Sequence, residues 1–193
     1  MKPKIYLVLL LICTCRSYSQ TLEQLKAETI KIHSANYNMD FDSIVKFSHP
    51  KIVEDIGKEK FLEKLDKDFQ NAEYRMRIQL VNPVFEYGAI QKIGDMTFCV
   101  IAYKNPVRYF FETKLDSNTS LIQANLLRTK DRTKDVIFEP KRNSFNVRRI
   151  SKFVAIADAS TKKEWKFFNM DDVKQRALFE FLFDDQVKKQ LGL

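Results

Sequence analysis

At 193 residues, 45% hydrophobic and 30% charged, the chain has a globular composition and is too short for two full domains. Its formal charge is +8, from 33 basic and 25 acidic residues, and three cysteines are too few for a disulfide framework.

The N-terminal residues stand apart. Lys2 and Lys4 precede an apolar run from Ile5 to Ile12, and Ser17-Tyr18-Ser19 follows before Gln20. A charged start, a short apolar stretch and small residues just before Gln20 predict a signal peptide over residues 1–19. Residues 20–193 then form a single mature domain, bacterial and extracytoplasmic, either periplasmic or secreted. The apolar run is too short to span a bilayer and no other long one occurs, so no transmembrane segment is expected. Lipid anchoring at Cys15 is the competing reading, although Thr14 stands where a lipoprotein signal usually has Gly, Ala or Ser. Beyond the signal only Cys99 remains, which excludes an internal disulfide and a cysteine metal cluster. It lies in the apolar run 98–102, the setting of a buried structural thiol rather than a nucleophile.

Residues 21–37 carry a helical pattern. At about 100° per residue, Leu22, Leu25, Thr29, Ile32, His33 and Asn36 share one face, and Glu23, Gln24, Glu28 and Lys31 oppose them. Asp40 is an N-cap for a second, short helix with Phe41, Ile44, Val45 and Phe47 apolar; Pro50 is expected to end it. His49, in that connection, is expected to face solvent. Gly57 opens a third helix over 58–71, with Phe61, Leu65 and Phe69 four residues apart.

The period then changes to two. Tyr74, Met76, Ile78 and Leu80 alternate with polar residues, and extended segments follow over 84–91, 96–103, 107–115, 120–128, 136–139, 145–150, 153–158 and 164–168. Residues 96–103 are apolar on both faces, as a central strand would be. Asn105-Pro106 and Asp116-Ser117-Asn118 read as turns, and a last helix is capped by Asn169 with Asp171 and Asp172 in its first turn. The predicted fold class is α+β: N-terminal helices packed on an antiparallel sheet, with a C-terminal helix.

The helix-one face is the strongest local sign of a site. Thr29, His33 and Asn36 point inward beside apolar residues, and Tyr37 ends the helix. Inward polar groups need partners or a wet cavity, so these four are pocket candidates, with His33 available as acid, base or ligand contact. A hydrogen-bonded histidine near a helix end is the bland alternative. Tyr87, Tyr103, Tyr109 and Trp165 fit core positions of strands. Lys2, Lys4 and Arg16 carry three of the eight excess charges, and the remaining five match the surplus between Arg128 and Arg149. Lys141, Arg142, Arg148 and Arg149 could form a basic patch for anionic partners; interleaved acids favour a solvated hairpin instead. Nucleic acid is not expected. No Gly-rich phosphate loop, His-Glu-x-x-His, Gly-x-Ser-x-Gly or closely spaced His/Asp set occurs, and nothing brings the two histidines together, so no metal and no cofactor is expected.

Asn38-Met39-Asp40-Phe41-Asp42, His49-Pro50, Gly57-Lys58-Glu59-Lys60-Phe61 and Glu164-Trp165-Lys166-Phe167, in this order of elements, resemble the nuclear transport factor 2-like superfamily, which includes ketosteroid isomerases and polyketide cyclases. The resemblance spans residues 21–168, with 115–149 longer than in a minimal member. It implies a curved sheet wrapped around the helices as a cone with an apolar pocket, and often a homodimer. Its enzymes place a tyrosine and acids in the cone, and no residue here is matched to those positions. The resulting expectation is a small-ligand-binding or protein-interaction module, its partner a small apolar molecule or a protein. An acid–base isomerase, dehydratase or cyclase is the first alternative. An envelope-surface protein using the basic segment is the second.

Overall fold

The computed structural model describes residues 21–193; the expected signal peptide, with the Cys15 alternative, lies outside the described residues. Helix α1 (Leu22–Asn38) begins at a capping box: Thr21 Oγ1 accepts the Gln24 N–H at 3.1 Å, and the Gln24 side chain accepts the Thr21 N–H. Leu25, Thr29, Ile32, His33 and Ala35 are buried, close to the predicted face. Asp40 caps α2 (Phe41–Phe47), its carboxylate accepting the Ser43 N–H.

Pro50 does not stop a helix but starts one. Helix α3 (Pro50–Ile56) has Pro50 at its first position and His49 as its cap. Proline is restrictive for the residue before it, yet its own fixed φ suits a first turn whose N–H needs no partner. Gly57, at φ 85, links α3 to α4 (Lys58–Phe69), which buries Phe61, Leu65 and Phe69 as predicted.

Nine strands follow, all paired antiparallel: β1 (Tyr74–Ile78), β2 (Phe85–Tyr87), β3 (Gln91–Ile93), β4 (Met96–Lys104), β5 (Val107–Phe111), β6 (Val136–Glu139), β7 (Ser144–Val147), β8 (Ile150–Ala157) and β9 (Lys166–Asn169). They divide into two sheets, ordered β1-β5-β7-β6 and β2-β4-β8-β9, with β3 also on β4. Strand β4 is central, as expected. Phe98 and Val100 face the cluster built with α2–α4 and the C-terminal helices, whereas Cys99, Ile101 and Tyr103 face α1.

The segment 120–128, predicted as a strand, is instead part of helix α5 (Ser117–Lys130). Asp116, read as a turn residue, caps it by accepting the Thr119 N–H at 2.8 Å. Ser120, Ala124 and Leu127 face inward, while Leu121, Ile122 and Leu126 are exposed, so apolar residues on both faces hide the helical period. The C-terminal helix is likewise two helices, α6 (Val173–Leu182) and α7 (Asp185–Leu191). Its cap is Asp172, not Asn169, which remains in β9. Among the described residues no helix is long and apolar enough to cross a membrane.

Candidate functional site

The two sheets are joined by one ribbon whose ladder is interrupted in the middle. Lys104 faces Ile150 at the end of one ladder and Val107 faces Val147 at the start of the other. Asn105-Pro106 and Arg148-Arg149 lie between, two residues on each strand, so the register is unchanged across the break. Pro106 has no N–H to give to the ladder. The Asn105 N–H still reaches the Arg149 carbonyl at 2.9 Å, and the Arg148 N–H turns to the Asp135 carbonyl at 3.0 Å.

Because side chains alternate along a strand, Tyr103, Asn105 and Tyr109 fall on the same face as Phe145, Arg149, Ser151 and Phe153. From that face Tyr103, Asn105, Tyr109, Arg149 and Phe153 line a cleft of about 510 Å³ walled by α1, α2, α4, β1 and the segment into α6. Ile32, Leu65, Phe69, Met76, Phe153 and Phe167 make its apolar wall. Its polar end is a buried network. Arg149 is ion-paired with Asp131, whose side chain is wholly inaccessible, and the Tyr109 hydroxyl donates to Asp131 at 3.2 Å. Asn105 Nδ2 donates to Ser151 Oγ at 2.9 Å, with the Tyr103 hydroxyl and the Asp171 carboxyl close to Ser151. A second cavity of about 220 Å³, lined by Asp131, Lys152 and Met170, also meets Arg149 and Asp171.

The electrostatics follow from burial. Burial raises the Asp171 carboxyl above its ordinary range, against the opposing charge of Arg149. The phenols of Tyr103 and Tyr109 are also pushed up by burial. Burial works against the charge of Arg149, but Asp131, Tyr109, Asp171 and Tyr103 together outweigh it and raise the guanidinium's proton affinity. Asn105 Oδ1, Arg149 Nε and Asp131 Oδ2 are buried without a hydrogen-bond partner among the described residues. Unpartnered buried polar atoms are uncommon, and three of them cluster around this ion pair.

The sequence-predicted site residues are not brought together. Asn36 lines the cleft, its Nδ2 donating to the Ile32 carbonyl at 2.8 Å. Thr29 is buried and satisfied, donating to the Leu25 carbonyl at 2.7 Å. His33 packs edge-on between Phe85 and Tyr103 and is not part of the cleft wall. Tyr37 is exposed. The basic patch also divides. Lys141 and Arg142 are exposed on a short 3-10 turn (Pro140–Arg142), and Arg148 is exposed 3.5 Å from Asp135. Arg149 points inward because its strand parity puts it on the buried face. The solvated hairpin expected for residues 128–149 is therefore corrected: its first part is helix and its last arginine is buried. Cys99 is buried, with its thiol pushed up to about 11 by burial, as an inert structural cysteine would be.

His49, expected in solvent, is 1% exposed. Its Nδ1 accepts the Lys51 N–H at 3.3 Å, so the ring proton sits on Nε2 and donates to Asp158 Oδ2 at 3.3 Å. Both nitrogens are engaged, and the ring stacks on Phe168. This imidazole has no free lone pair for base catalysis and pins α3 to the end of β8. Burial lowers its proton affinity, with Asp158 and Glu54 opposing and Lys51 assisting; burial lowers His33 too. Both folded values lie below 6.5. Their contribution to stability is therefore present above that pH and lost as pH falls through the lowered folded values. The melting temperature of the wild type is expected to fall as pH drops below 6.5, and that of His49→Asn to fall less steeply; parallel curves would refute the role given to His49.

Sequence reasoning missed Asn105, Asp131, Ser151 and Asp171 as site residues, and put Arg149 in a basic surface patch. The signal that could have found three of them is parity: polar Asn105, Arg149 and Ser151 occupy the inward register of otherwise apolar strands. Asp171 was expected in a helical first turn, but the helix starts later and leaves it at the cleft. Among the described residues no group of three or more His, Cys, Asp or Glu is placed to hold a metal. Comparison with known protein families, curated protein sequences and solved structures finds no match to this chain.

Proposed function

We propose that the protein is a small-ligand-binding module, working outside the cytoplasm, that holds an amphipathic molecule in the cleft between its N-terminal helices and the two sheets. One observation carries this reading: an apolar-walled cavity of about 510 Å³ has Tyr103, Asn105, Arg149 and Asp171 at its polar end. The volume lies in the range of small-molecule sites, roughly 300–1,000 Å³. The extracytoplasmic setting rests on the N-terminal sequence. The nuclear transport factor 2-like reading is supported by the order of helices, antiparallel strands and closing helices, with a cleft between them. The test is titration with N-phenyl-1-naphthylamine, a neutral fluorescent probe of apolar sites. Saturable binding at one site, lost when Met76→Trp fills the cleft, is expected; no saturable binding by folded wild-type protein sinks the reading.

A second reading is favoured by Tyr103 and Asp171, which both line the cleft and whose charged forms burial disfavours. A tyrosine beside a protonated carboxyl can donate two hydrogen bonds to an oxygen that gains charge, as in ketosteroid isomerases. That would support acid-assisted isomerisation of a ketone. A base is harder to find, since neither histidine lines the cleft and both Asp68 and Asp172 are ion-paired with Lys64. Conversion of a β,γ-unsaturated ketone to its conjugated isomer, followed by ultraviolet absorbance, tests it; no turnover by the wild type ends it.

A further inference from the structure

We infer that the ligand of this cleft is a single-chain amphiphile with an anionic head, drawn to Lys130 and Arg132 at the end of α5 and to Lys174 at the start of α6. The inference rests on the ligand-binding reading and specifies its chemistry. Among the described residues, six cations line the cleft against three carboxylates. Three of the six are partnered: Lys64 pairs with both Asp68 and Asp172 at 2.5 Å, Arg149 pairs with Asp131, and Arg176 approaches Glu180 at 4.0 Å. The remaining carboxylate of the cleft, Asp171, is one whose charge burial disfavours. Lys130, Arg132 and Lys174 are exposed and have no carboxylate partner among the described residues. The cleft therefore carries an unbalanced positive charge where water and a ligand can reach it.

Lys130 is held in place. Its ammonium donates to the Tyr74 hydroxyl and lies 4.6 Å from the centre of the Tyr74 ring and 5.2 Å from that of Tyr109. Of its three N–H donors one is spent on Tyr74 and two remain. Lys130 also suits the negative end of the α5 dipole, but Arg132 and Lys174 stand against local preference. The Thr133 N–H bonds the Arg128 carbonyl at 3.1 Å, closing a Schellman turn with Arg132 in the left-handed region at φ 50. Glycine is usual at that position, because a Cβ is disfavoured there. Lys174 lies in the first turn of α6, just after the Asp172 cap, where the helix dipole favours an anion. Two cations that local chemistry would not choose line one cleft, and local rules are broken chiefly where function requires it. Lys130 and Arg132 also line the second cavity, together with Lys152, which is exposed and likewise lacks a carboxylate partner among the described residues. An anionic head offsets this surplus, a hydroxyl leaves it unbalanced and an ammonium is repelled by it. A carboxylate and a phosphate monoester share that chemistry. The apolar wall takes the hydrocarbon body.

The experiment is displacement of bound N-phenyl-1-naphthylamine by decanoate, decyl phosphate, 1-decanol and decyltrimethylammonium, which share a chain length and differ in the head. The better of the two anions is expected to compete at about one-tenth the concentration that decanol requires, the scale of a hydrogen bond to a charged group. Decyl phosphate ahead of decanoate assigns the head to a phosphate monoester, and the reverse order assigns it to a carboxylate. The advantage over decanol is expected to shrink in about 1 M sodium chloride, where the screening length is about 3 Å. The double variant Arg132→Gly with Lys174→Glu is expected to melt no lower than the wild type, since each replacement suits its backbone position, and to lose the preference for anions. Decanol or decyltrimethylammonium competing as well as both anions overturns the inference and leaves ligand binding standing. So does an unchanged preference in the folded double variant. Inorganic phosphate displacing the probe as well as decyl phosphate overturns the amphiphile. Failure of the probe itself to bind overturns the ligand-binding reading and this inference with it. If the double variant does not fold, the head-group ranking and its salt dependence on wild-type protein decide.

Discussion

Replacing Arg149 with methionine is expected to lower the free energy of unfolding by about 3–5 kcal/mol, the range for breaking a buried ion pair from one side. The reason lies in what is left behind. The Asp131 side chain is wholly inaccessible, and Arg149 is 14% exposed. Without the guanidinium the carboxylate keeps only the Tyr109 hydroxyl at 3.2 Å. Arg149 also closes the corner where the chain passes between sheets, so its loss loosens both. The double variant Arg149→Met with Asp131→Leu is expected to recover much of the loss, because it removes the stranded charge as well as its partner. Urea denaturation of the wild type, the single and the double variant checks this. A single variant as stable as the wild type would mean that Asp131 is solvated after all.

The second large effect is expected at Phe168, whose replacement by alanine should destabilise the fold by about 3–5 kcal/mol. Phe168 is completely buried in β9, stacked against His49 with centroids 5.0 Å apart and edge-on to Phe179 at 5.5 Å. It therefore joins three parts of the chain: the connection before α3, the five-stranded sheet and α6. The cavity left by the ring has walls from all three, none able to collapse without moving an element. Thermal unfolding should show a melting temperature several degrees lower, with a weaker pH dependence because His49 loses its stacking partner; about 4–8 °C per kcal/mol is the scale for a small domain and about half that for one of 150–250 residues. A loss below 1 kcal/mol would show that this junction does not hold the helices to the sheet.

What the sequence determined by itself was everything governed by local chemistry. Asp40 caps the second helix, and the spacing of Phe61, Leu65 and Phe69 sets the buried face of α4. The two-sided apolar run around Cys99 predicted a central strand, and α+β was legible from the change of period. Where an element carries apolar residues on both faces the period disappears, and α5, with Leu121, Ile122 and Leu126 outward, was read as a strand for that reason. Local signals also failed where one residue has two uses: Pro50 can end a helix or begin one, and only the seat of His49 between Asp158 and Phe168 shows which.

The candidate site belongs wholly to the tertiary structure. Asp131, Arg149 and Asp171 are widely separated in sequence and unremarked by any motif, and each looks like an ordinary surface charge on its own strand, turn or helix. Asn105-Pro106 reads as a turn, yet it opposes Arg148-Arg149 in a ribbon shared by two sheets. Whether a charge is buried depends on which neighbours the fold sets around it, because the exclusion of water and the opposite charge that offsets it both come from distant segments. The sequence by itself therefore determined the Asp40 cap, the periods of the one-sided elements and the class of fold. Only the packing of the two sheets against α1 and α4 decided that Arg149 would turn inward and meet Asp131 beside a cleft.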